Sequence, residues 1–255
     1  MGLADFTIEG AVATITLNRP PVNALNTDLI GDIAAAVDRA ADPAIRAVVI
    51  TGAPHFAAGA DITGFQATWD SGSDERQASG LLDAIAMLEG LAKPTIAAVH
   101  GYALGGGLEL SMGADFRYLA EDAKVGQPEI LLGIIPGAGG TQRLSRIVGT
   151  QRAKEMCMSG RHIGAEAALA VGLADRVFPS DELQAAAHED AVRFAAGPTQ
   201  AYAAVKRAIR DGFDTDLATG LAIEAEEFAT VFATGDAKIG VRAFLDKDKP
   251  TFTGS

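Results

Sequence analysis

The sequence predicts an α/β fold in which buried strands pair in parallel, followed by a helical C-terminal region. Two observations support this prediction. Along residues 5–148, short apolar runs alternate with loops and with segments of helical periodicity, a rhythm typical of parallel α/β proteins. After Pro179 the helical spacing continues and strand patterns cease. A chain of 255 residues with 48% hydrophobic content can bury one large core.

The first elements are a hairpin and a helix. Apolar and polar residues alternate over 5–17, and Gly10 with Ala11 divides the run, which predicts two strands and a turn. Two prolines make 18–26 a loop. Thr27 is a suitable cap for a helix over 28–41. The helix face predicted to be buried comprises Leu29, Ile33, Ala36, Val37 and Ala40.

Two almost wholly apolar runs, 46–51 and 95–99, predict buried parallel strands. Between them we expect a loop of small residues over 52–65 and a helix over 75–90. The polar run 69–77 is predicted to be a mobile loop. The residues of this second helix predicted to face the core are Leu81, Leu82, Ile85 and Leu88.

The remaining elements are short strands, a helix and the C-terminal helical region. Strands are predicted near 115–120 and 124–126, and a helix over about 139–148. The break at Gly197-Pro198 divides the chain into a core, 1–197, and a C-terminal region, 198–255. The late helices are predicted over 181–196, 199–211, 216–233 and 236–246.

Composition excludes several functional classes. A formal net charge of -12 argues against nucleic acid or an anionic membrane as the main partner. The single cysteine, Cys157, excludes an internal disulfide and fits a reducing compartment. The four histidines are scattered without metal-ligand spacing, so we expect no metal. With no signal-peptide pattern at the start and no long apolar run, a cytoplasmic location is expected.

Residues 100–115 carry the first chemical signal. Gly105, Gly106 and Gly107 allow the backbone to approach a ligand closely, and the apolar residues after them predict a short buried helix. The start of that helix offers free N–H donors, and Glu109 follows within one turn. The alternative is a tightly packed glycine-rich turn with an incidental glutamate, because such a turn alone is a weak motif.

Three stretches share a glycine-rich, apolar character and hold acidic residues without a nearby basic partner: 56–61, 101–109 and 126–140. Burying an unpaired carboxylate is costly, so Glu109 and Glu129 suggest acid/base chemistry. The alternative is that each carboxylate caps a helix or pairs with a distant arginine such as Arg143.

These stretches, FAAGAD, GYALGGGLEL and QPEILLGIIPGAGGTQRL, occur in the order and separation that resemble the enoyl-CoA hydratase (crotonase) family. NRPPVNALN near the start and AFLDKDKPTF near the end fit as well, so the resemblance covers nearly the whole chain. It implies a spiral of ββα units, then C-terminal helices that build trimers, often stacked as hexamers (dimers of trimers). It also implies an acyl-CoA thioester as substrate, with no separate cofactor.

The resemblance assigns roles to individual residues. The N–H groups of Ala60 and Gly106 would hold the thioester oxygen, Glu109 would be the general base and Glu129 the acid. Gly137 would lie near the catalytic water. Residues implied along the substrate path are Ala24, Leu25, Ala58, Asp61, Ile62, Gly105 and Pro128. Tyr102, Leu104 and Leu132 are acyl-pocket candidates that are equally suited to the core. Arg19, Lys247 and Lys249 are candidates for the CoA phosphates, the two lysines being donated by a neighbouring subunit.

Both glutamates together favour a 2-enoyl-CoA hydratase of fatty-acid or related acyl-CoA degradation. Two alternatives stay open. The first is another crotonase-type reaction, such as enoyl-CoA isomerase or CoA-thioester lyase. The second is a non-catalytic acyl-CoA-binding protein. The sequence does not determine the acyl chain length of the substrate. The loop between Thr63 and Gly80 departs from the family pattern and is expected to influence that length.

Overall fold

A computed structural model of the chain describes residues 2–63, 70 and 79–255. The predicted mobile loop at 69–77 lies outside the described residues except for Asp70, as does the first part of the predicted helix 75–90. The strands are β1 (Ala4–Glu9), β2 (Val12–Leu17), β3 (Ala47–Gly52), β4 (Thr95–Val99), β5 (Tyr102–Leu104), β6 (Phe116–Ala120), β7 (Lys124–Gly126), β8 (Ile163–Gly164) and β9 (Arg176–Phe178).

The strands form two sheets. Six pair in the order β1-β2-β3-β4-β6-β9, and every pair after the antiparallel β1–β2 hairpin is parallel. A smaller sheet has the order β5-β7-β8. All residues of β3 and β4 are buried, as expected for central parallel strands covered on both faces. The α/β prediction with parallel pairing is therefore confirmed.

The helices surround these sheets. They are α1 (Thr27–Ala40), α2 (Ser79–Gly90), α3 (Gly106–Met112), α4 (Gly140–Val148), α5 (Thr150–Ser159), α6 (Ala165–Ala170), α7 (Leu183–Ala195), α8 (Thr199–Gly212), α9 (Leu217–Phe232) and α10 (Gly235–Asp246), with a 3-10 helix at Pro128–Leu132. Helix α7 packs across β2, β3, β4, β6 and β9. Helix α5, the six-residue α6 and strands β8 and β9 were not predicted as elements.

Helix α1 begins one residue earlier than predicted. Asn26, not Thr27, is the N-cap, because Asn26 is extended and its side chain accepts the N–H of Leu29 at 3.0 Å. Asn and Thr are both good caps, and only the backbone geometry decides between them. The predicted buried face of α1 is confirmed in full.

The predicted buried face of α2 is wrong at one residue. Leu81, Ile85 and Leu88 are buried, but Leu82 is 40% exposed. Successive helical residues are turned by about 100° from one another, so Leu82 leaves the stripe that its three neighbours share. Leu82 instead leans toward the turn at Gly139, where a Cβ would lie 3.7 Å from its Cδ1 atom.

The C-terminal region consists of α8, α9 and α10, with boundaries within two residues of those predicted. Lys206 of α8 pairs with Asp115 at 2.9 Å, which ties this region to the core. The tail returns to the core as well, since Arg46 donates to the carbonyl oxygens of Gly197 and Phe252. Within the described ranges, no helix is both long enough and apolar enough to cross a membrane.

Candidate active site

The loop containing Ala60 and the start of α3 meet at the centre of the site. Leu25 donates its N–H to Gly59 O at 2.8 Å and accepts the N–H of Asp61 at 2.9 Å. In such a parallel bridge the N–H of the intervening residue, Ala60, points away from its neighbour strand. A Cβ on Gly106 would lie 3.7 Å from the nitrogen of Ala60. Two backbone amides from distant parts of the chain are therefore adjacent.

The amide of Gly106 is free because of its place in the helix. Gly106 is the first residue of α3, and the first N–H groups of a helix have no intrahelical acceptor. Within the described residues no backbone carbonyl accepts the N–H of Gly106 or of Ala60. Ala60 is exposed. These two N–H groups can together hold a single oxygen atom of a ligand.

The glycines before and within α3 are required by close packing. Gly105 has φ +52°, a left-handed conformation that favours glycine. A Cβ on Gly107 would collide with the carbonyl oxygen of Ala57. A Cβ on Gly106 would meet Leu81 Cδ2 at 2.9 Å and Leu25 Cδ1 at 3.3 Å. The glycine run thus lets α3 begin directly against the Ala57–Ala60 loop.

Glu109 lies in α3 and is only 3% exposed. Its Oε1 accepts the N–H groups of Ala138 at 2.8 Å and Gly140 at 2.7 Å. Its Oε2 accepts no hydrogen bond within the described part of the chain. The pKa of Glu109 is raised above its usual range by burial, which outweighs the lowering by the backbone donors Gly140 and Ala138 and, last, by the charge of Arg143. Oε1 is therefore fixed at the start of α4, and Oε2 is available to take part in a reaction.

Glu129 approaches from the 3-10 helix, in whose first turn it lies. A Cβ on Gly105 would lie 2.9 Å from Glu129 Oε1, so the carboxyl group leans against the glycine run. The pKa of Glu129 is raised to about 7, chiefly by burial and also by the negative charge of Glu109, and a backbone hydrogen bond only partly offsets these effects. Glu129 is therefore a carboxyl group that can hold a proton near neutral pH.

Gln127 supports Glu129 and was not predicted from the sequence as a site residue. It is fully buried at the end of β7. With its amide nitrogen facing Glu129, it donates to Oε1 at 3.0 Å and Oε2 at 3.1 Å. The available signal was a polar side chain inside an otherwise apolar, glycine-rich stretch. Its donations fix the orientation of the carboxyl group.

The alternative prediction was that each carboxylate caps a helix. Glu109 does so in part, because it accepts the N–H of the first residue of α4. Pairing with Arg143 is not found, because Arg143 pairs with Glu89 at 2.8 Å. Arg143 acts on Glu109 only through its charge. Capping and catalysis are compatible here, since the cap uses one carboxylate oxygen.

Residues predicted along the CoA path form a linked group. Asp61 pairs with Arg19 at 2.7 Å, and Arg19 also donates to Ala24 O at 2.9 Å. Hydrogen bonds from Thr63, and then Arg19, lower the pKa of Asp61. Arg19 thus links the 18–26 loop to the Ala60 loop. Because Asp61 neutralises part of the charge of Arg19, Arg19 is a weaker candidate for binding a CoA phosphate.

Asn23 completes this link and was also missed. It is buried with φ +52°, and its side-chain nitrogen donates to His55 O at 2.8 Å. Its Oδ1 accepts the N–H of Arg19 at 2.7 Å. The loop ahead of α1 is therefore held against the loop that contains Ala60.

The other predicted substrate residues differ in exposure. Tyr102 is 38% exposed and stacks on His55 with ring centroids 4.6 Å apart. Leu132 is 54% exposed, and Leu104 is buried in the core. Those that remain lie in or beside the site loops: Ala58 and Pro128 are half-buried, Gly105 is buried, and Ile62 and Gly137 are exposed.

The predicted lysines are not brought to the site by contacts within one chain. Lys247 ends α10 in a left-handed conformation with φ +59° and is exposed, as is Lys249. Neither lysine forms an ion pair with a described residue. In the described ranges, moreover, no group of three or more His, Cys, Asp or Glu residues is placed to hold a metal ion.

A model of the enoyl-CoA hydratase/isomerase family matches residues 7–255. The chain belongs to this family. It is 41% identical over 247 residues to the short-chain-enoyl-CoA hydratase of Clostridium acetobutylicum, covering 94% of each chain. It is 41% identical over 249 residues to the crotonyl-CoA hydratase of Syntrophomonas wolfei, covering 96% of this chain and 95% of that relative.

Solved structures of the family share the fold. An enoyl-CoA hydratase of Geobacillus kaustophilus superposes with a TM-score of 0.94 at 32% identity, covering 100% of this chain and 98% of that one. An enoyl-CoA hydratase of Polaromonas sp. JS666 also gives 0.94, at 30% identity, covering 99% and 100%. The predicted family and its crotonase-like fold are therefore confirmed.

Proposed function

We propose that the protein is a 2-enoyl-CoA hydratase, which adds water across the 2,3 double bond of an enoyl-CoA thioester to give a 3-hydroxyacyl-CoA. The observation that carries this proposal is a pair of glutamates, the buried Glu109 and the half-buried Glu129, beside two free backbone N–H groups. Family members named enoyl-CoA, short-chain-enoyl-CoA and crotonyl-CoA hydratase support it.

The two amides stabilise the charge that develops during addition. When water attacks C3, the π electrons move through C2 toward the thioester oxygen, which gains enolate character. The N–H groups of Ala60 and Gly106 donate to that oxygen. Such donors are already in position and need no reorganisation during the reaction, so each is worth about 10²–10³ in rate.

The two carboxyl groups move the protons. Glu109 accepts a proton from the attacking water as the C3–O bond forms. Glu129, which holds a proton near neutral pH, delivers it to C2 as the C2–H bond forms. Glu109 then carries the water proton and Glu129 is ionised, so one proton returns between them before the next turnover. In the dehydration direction the roles reverse.

The test is hydration of crotonyl-CoA, followed by loss of the enoyl thioester absorbance. Glu109→Gln and Glu129→Gln should each lower kcat by about 10²–10⁴, because each removes one proton transfer. Glu121→Gln, an exposed glutamate between β6 and β7, is the matched control and should hydrate normally.

Three outcomes would contradict the proposal. Near wild-type hydration by either site variant would overturn the acid/base assignment. Shift of a 3-enoyl double bond without hydration would indicate an isomerase. Acyl-CoA binding without turnover of any enoyl thioester would indicate a binding protein. A panel of enoyl-CoA chain lengths would then define the substrate within its degradation pathway.

We also propose that the protein is a homo-oligomer, a trimer or a dimer of trimers, located in the cytoplasm. Helix α9 has no buried residue in the single chain. Leu217, Leu221, Phe228 and Phe232, on one side of α9, are 53–79% exposed. An apolar stripe of this kind is typical of a subunit interface. The single cysteine and the bacterial relatives support the location.

A further inference from the structure

Arg143 lies behind the turn that holds Glu109. It belongs to the first turn of α4, and its Nη1 donates to Ala138 O at 3.2 Å. The N–H of that same alanine donates to Glu109 Oε1. Arg143 is only 17% exposed, and a Cβ on Gly139 would collide with its Nη1 atom. The guanidinium group is thus built into the turn that positions Glu109.

Glu89 holds the other end of the guanidinium group. Arg143 Nη2 donates to Glu89 Oε2 at 2.8 Å, from α4 across to α2. The Nε atom of Arg143 is buried and has no hydrogen-bond partner among the described residues. A buried donor is left unpaired at a cost in free energy.

The groups facing Glu109 come from several elements. Arg143 of α4 favours its ionised form. Glu129 of the 3-10 helix is near enough for the negative charge of Glu109 to raise its pKa. Burial raises the pKa of Cys157 of α5, and the charges of Glu129 and Glu109 raise it further, so it is a neutral thiol. Glu89 partly neutralises Arg143. Glu109 therefore has a cation behind it, whereas the charge that acts on Glu129 is negative.

We propose that Arg143, held in place by Glu89, is a positioning residue that keeps Glu109 the ionised member of the carboxylate pair and so makes it the base. This inference rests on the proposed hydratase function. It adds to that function a reason why Glu109, and not Glu129, is the base in the hydration direction.

The first test is the pH profile of kcat/KM for crotonyl-CoA hydration by Arg143→Gln. Glu109 must be ionised, so activity falls as the pH drops through its pKa. Without the cation that pKa rises, and the acid limb should move upward by on the order of one pH unit. On that limb the loss is about tenfold, and it recovers at higher pH. KM should change little, because Arg143 is not placed on the substrate path.

Two further variants act as opposed controls. Arg143→Lys keeps the positive charge and should return the acid limb toward its wild-type position. Glu89→Gln keeps an oxygen acceptor for Arg143 Nη2 but removes the neutralising charge, so Arg143 stays in place, acts more strongly on Glu109, and the acid limb should move to lower pH. Glu89 is 41% exposed, so this variant should fold normally. Thermal unfolding of each variant reports whether the fold is intact.

A structural role for Arg143 would give a different result. It predicts loss of activity that is equal at every pH, with no change in the acid limb, and that outcome would overturn the inference. A shift of both Arg143→Gln and Glu89→Gln in the same direction would overturn it too. If Arg143→Gln does not fold, the direction in which Glu89→Gln moves the acid limb decides whether the inference holds. Absence of hydration by the wild-type enzyme would instead refute the proposed function.

Discussion

Glu129 owes its role to its surroundings. It is half-buried against the glycine run, its charge is opposed by Glu109, and its pKa is raised to about 7. The amide of Gln127 donates to it and works in the opposite direction, because donors favour the ionised form. An acid with a pKa near the working pH both holds and releases its proton efficiently.

The raised pKa of Glu129 predicts a limit at high pH. Glu129 must be protonated to act as the acid, so kcat/KM for hydration should fall by about tenfold per pH unit above its pKa of about 7. Initial rates with crotonyl-CoA across the pH range would measure this limb. A rate that stays level well above pH 7 would show that Glu129 is not the acid.

The backbone amide of Gly106 can be tested by a matched pair of substitutions. Proline is tolerated at the first position of a helix and removes the N–H. Gly106→Pro should therefore lower kcat by about 10²–10³. Gly106→Ala adds a Cβ against Leu81 and Leu25 but keeps the N–H. Equal losses in the two variants would mean that crowding, and not the lost donor, explains the effect.

At the scale of elements, the close approach of α3 to the Ala57–Ala60 loop is what brings the two amides together. Gly107 makes it possible, because any Cβ there would meet the Ala57 carbonyl group. Gly107 has no left-handed φ, so the requirement is purely one of space. The same contact that packs the helix therefore aligns the site.

Gly107→Ala should separate α3 from that loop. Forcing a methyl group into a filled space costs about 1–3 kcal/mol, so the melting temperature should fall and hydration with it. Gly31→Ala in α1 is the matched control, since a Cβ there meets nothing within 4 Å. It should stabilise the protein by roughly 0.5–1 kcal/mol and leave activity unchanged. An unchanged melting temperature for Gly107→Ala would contradict this account.

At the scale of the whole molecule, apolar surface is concentrated in the C-terminal region. Phe228 and Phe232 stack on each other with centroids 5.6 Å apart on the exposed side of α9. A cavity of about 560 Å³ lies between α8 and the core, bordered by residues such as Phe116, Phe194 and Tyr202. It contains none of the predicted site residues.

Phe228→Asp should therefore weaken the oligomer. Burying a charge in an apolar interface is costly, and the lost phenyl ring removes about 2 kcal/mol of burial per subunit. Light scattering after size exclusion would show a lower mass than for the wild type. Ile8→Asp, at another exposed apolar site, on β1, is the control and should leave the mass unchanged. A monomeric wild type would contradict the proposed assembly.

Much of this architecture was predictable because its signals are local. The buried strands β3 and β4 are continuous apolar runs, and the buried face of α1 follows helical spacing. One prediction was wrong because two neighbouring residues, Asn26 and Thr27, are equally suitable helix caps by residue type. Another was wrong because Leu82, although apolar, does not lie on the buried face of its helix. Elements as short as β8 carry too few residues for any periodicity.

The sequence by itself determined the fold class, the family motifs and the two glutamates, since each depends on residue types at fixed spacing. Only the tertiary structure brought Ala60 beside Gly106, turned Gln127 toward Glu129 and set the Arg143–Glu89 pair behind Glu109. The physical reason is that these neighbours come from separate loops and helices. Their distances, and therefore the burial and charge that divide the roles of the two glutamates, follow from packing between elements and leave no periodic trace along the chain.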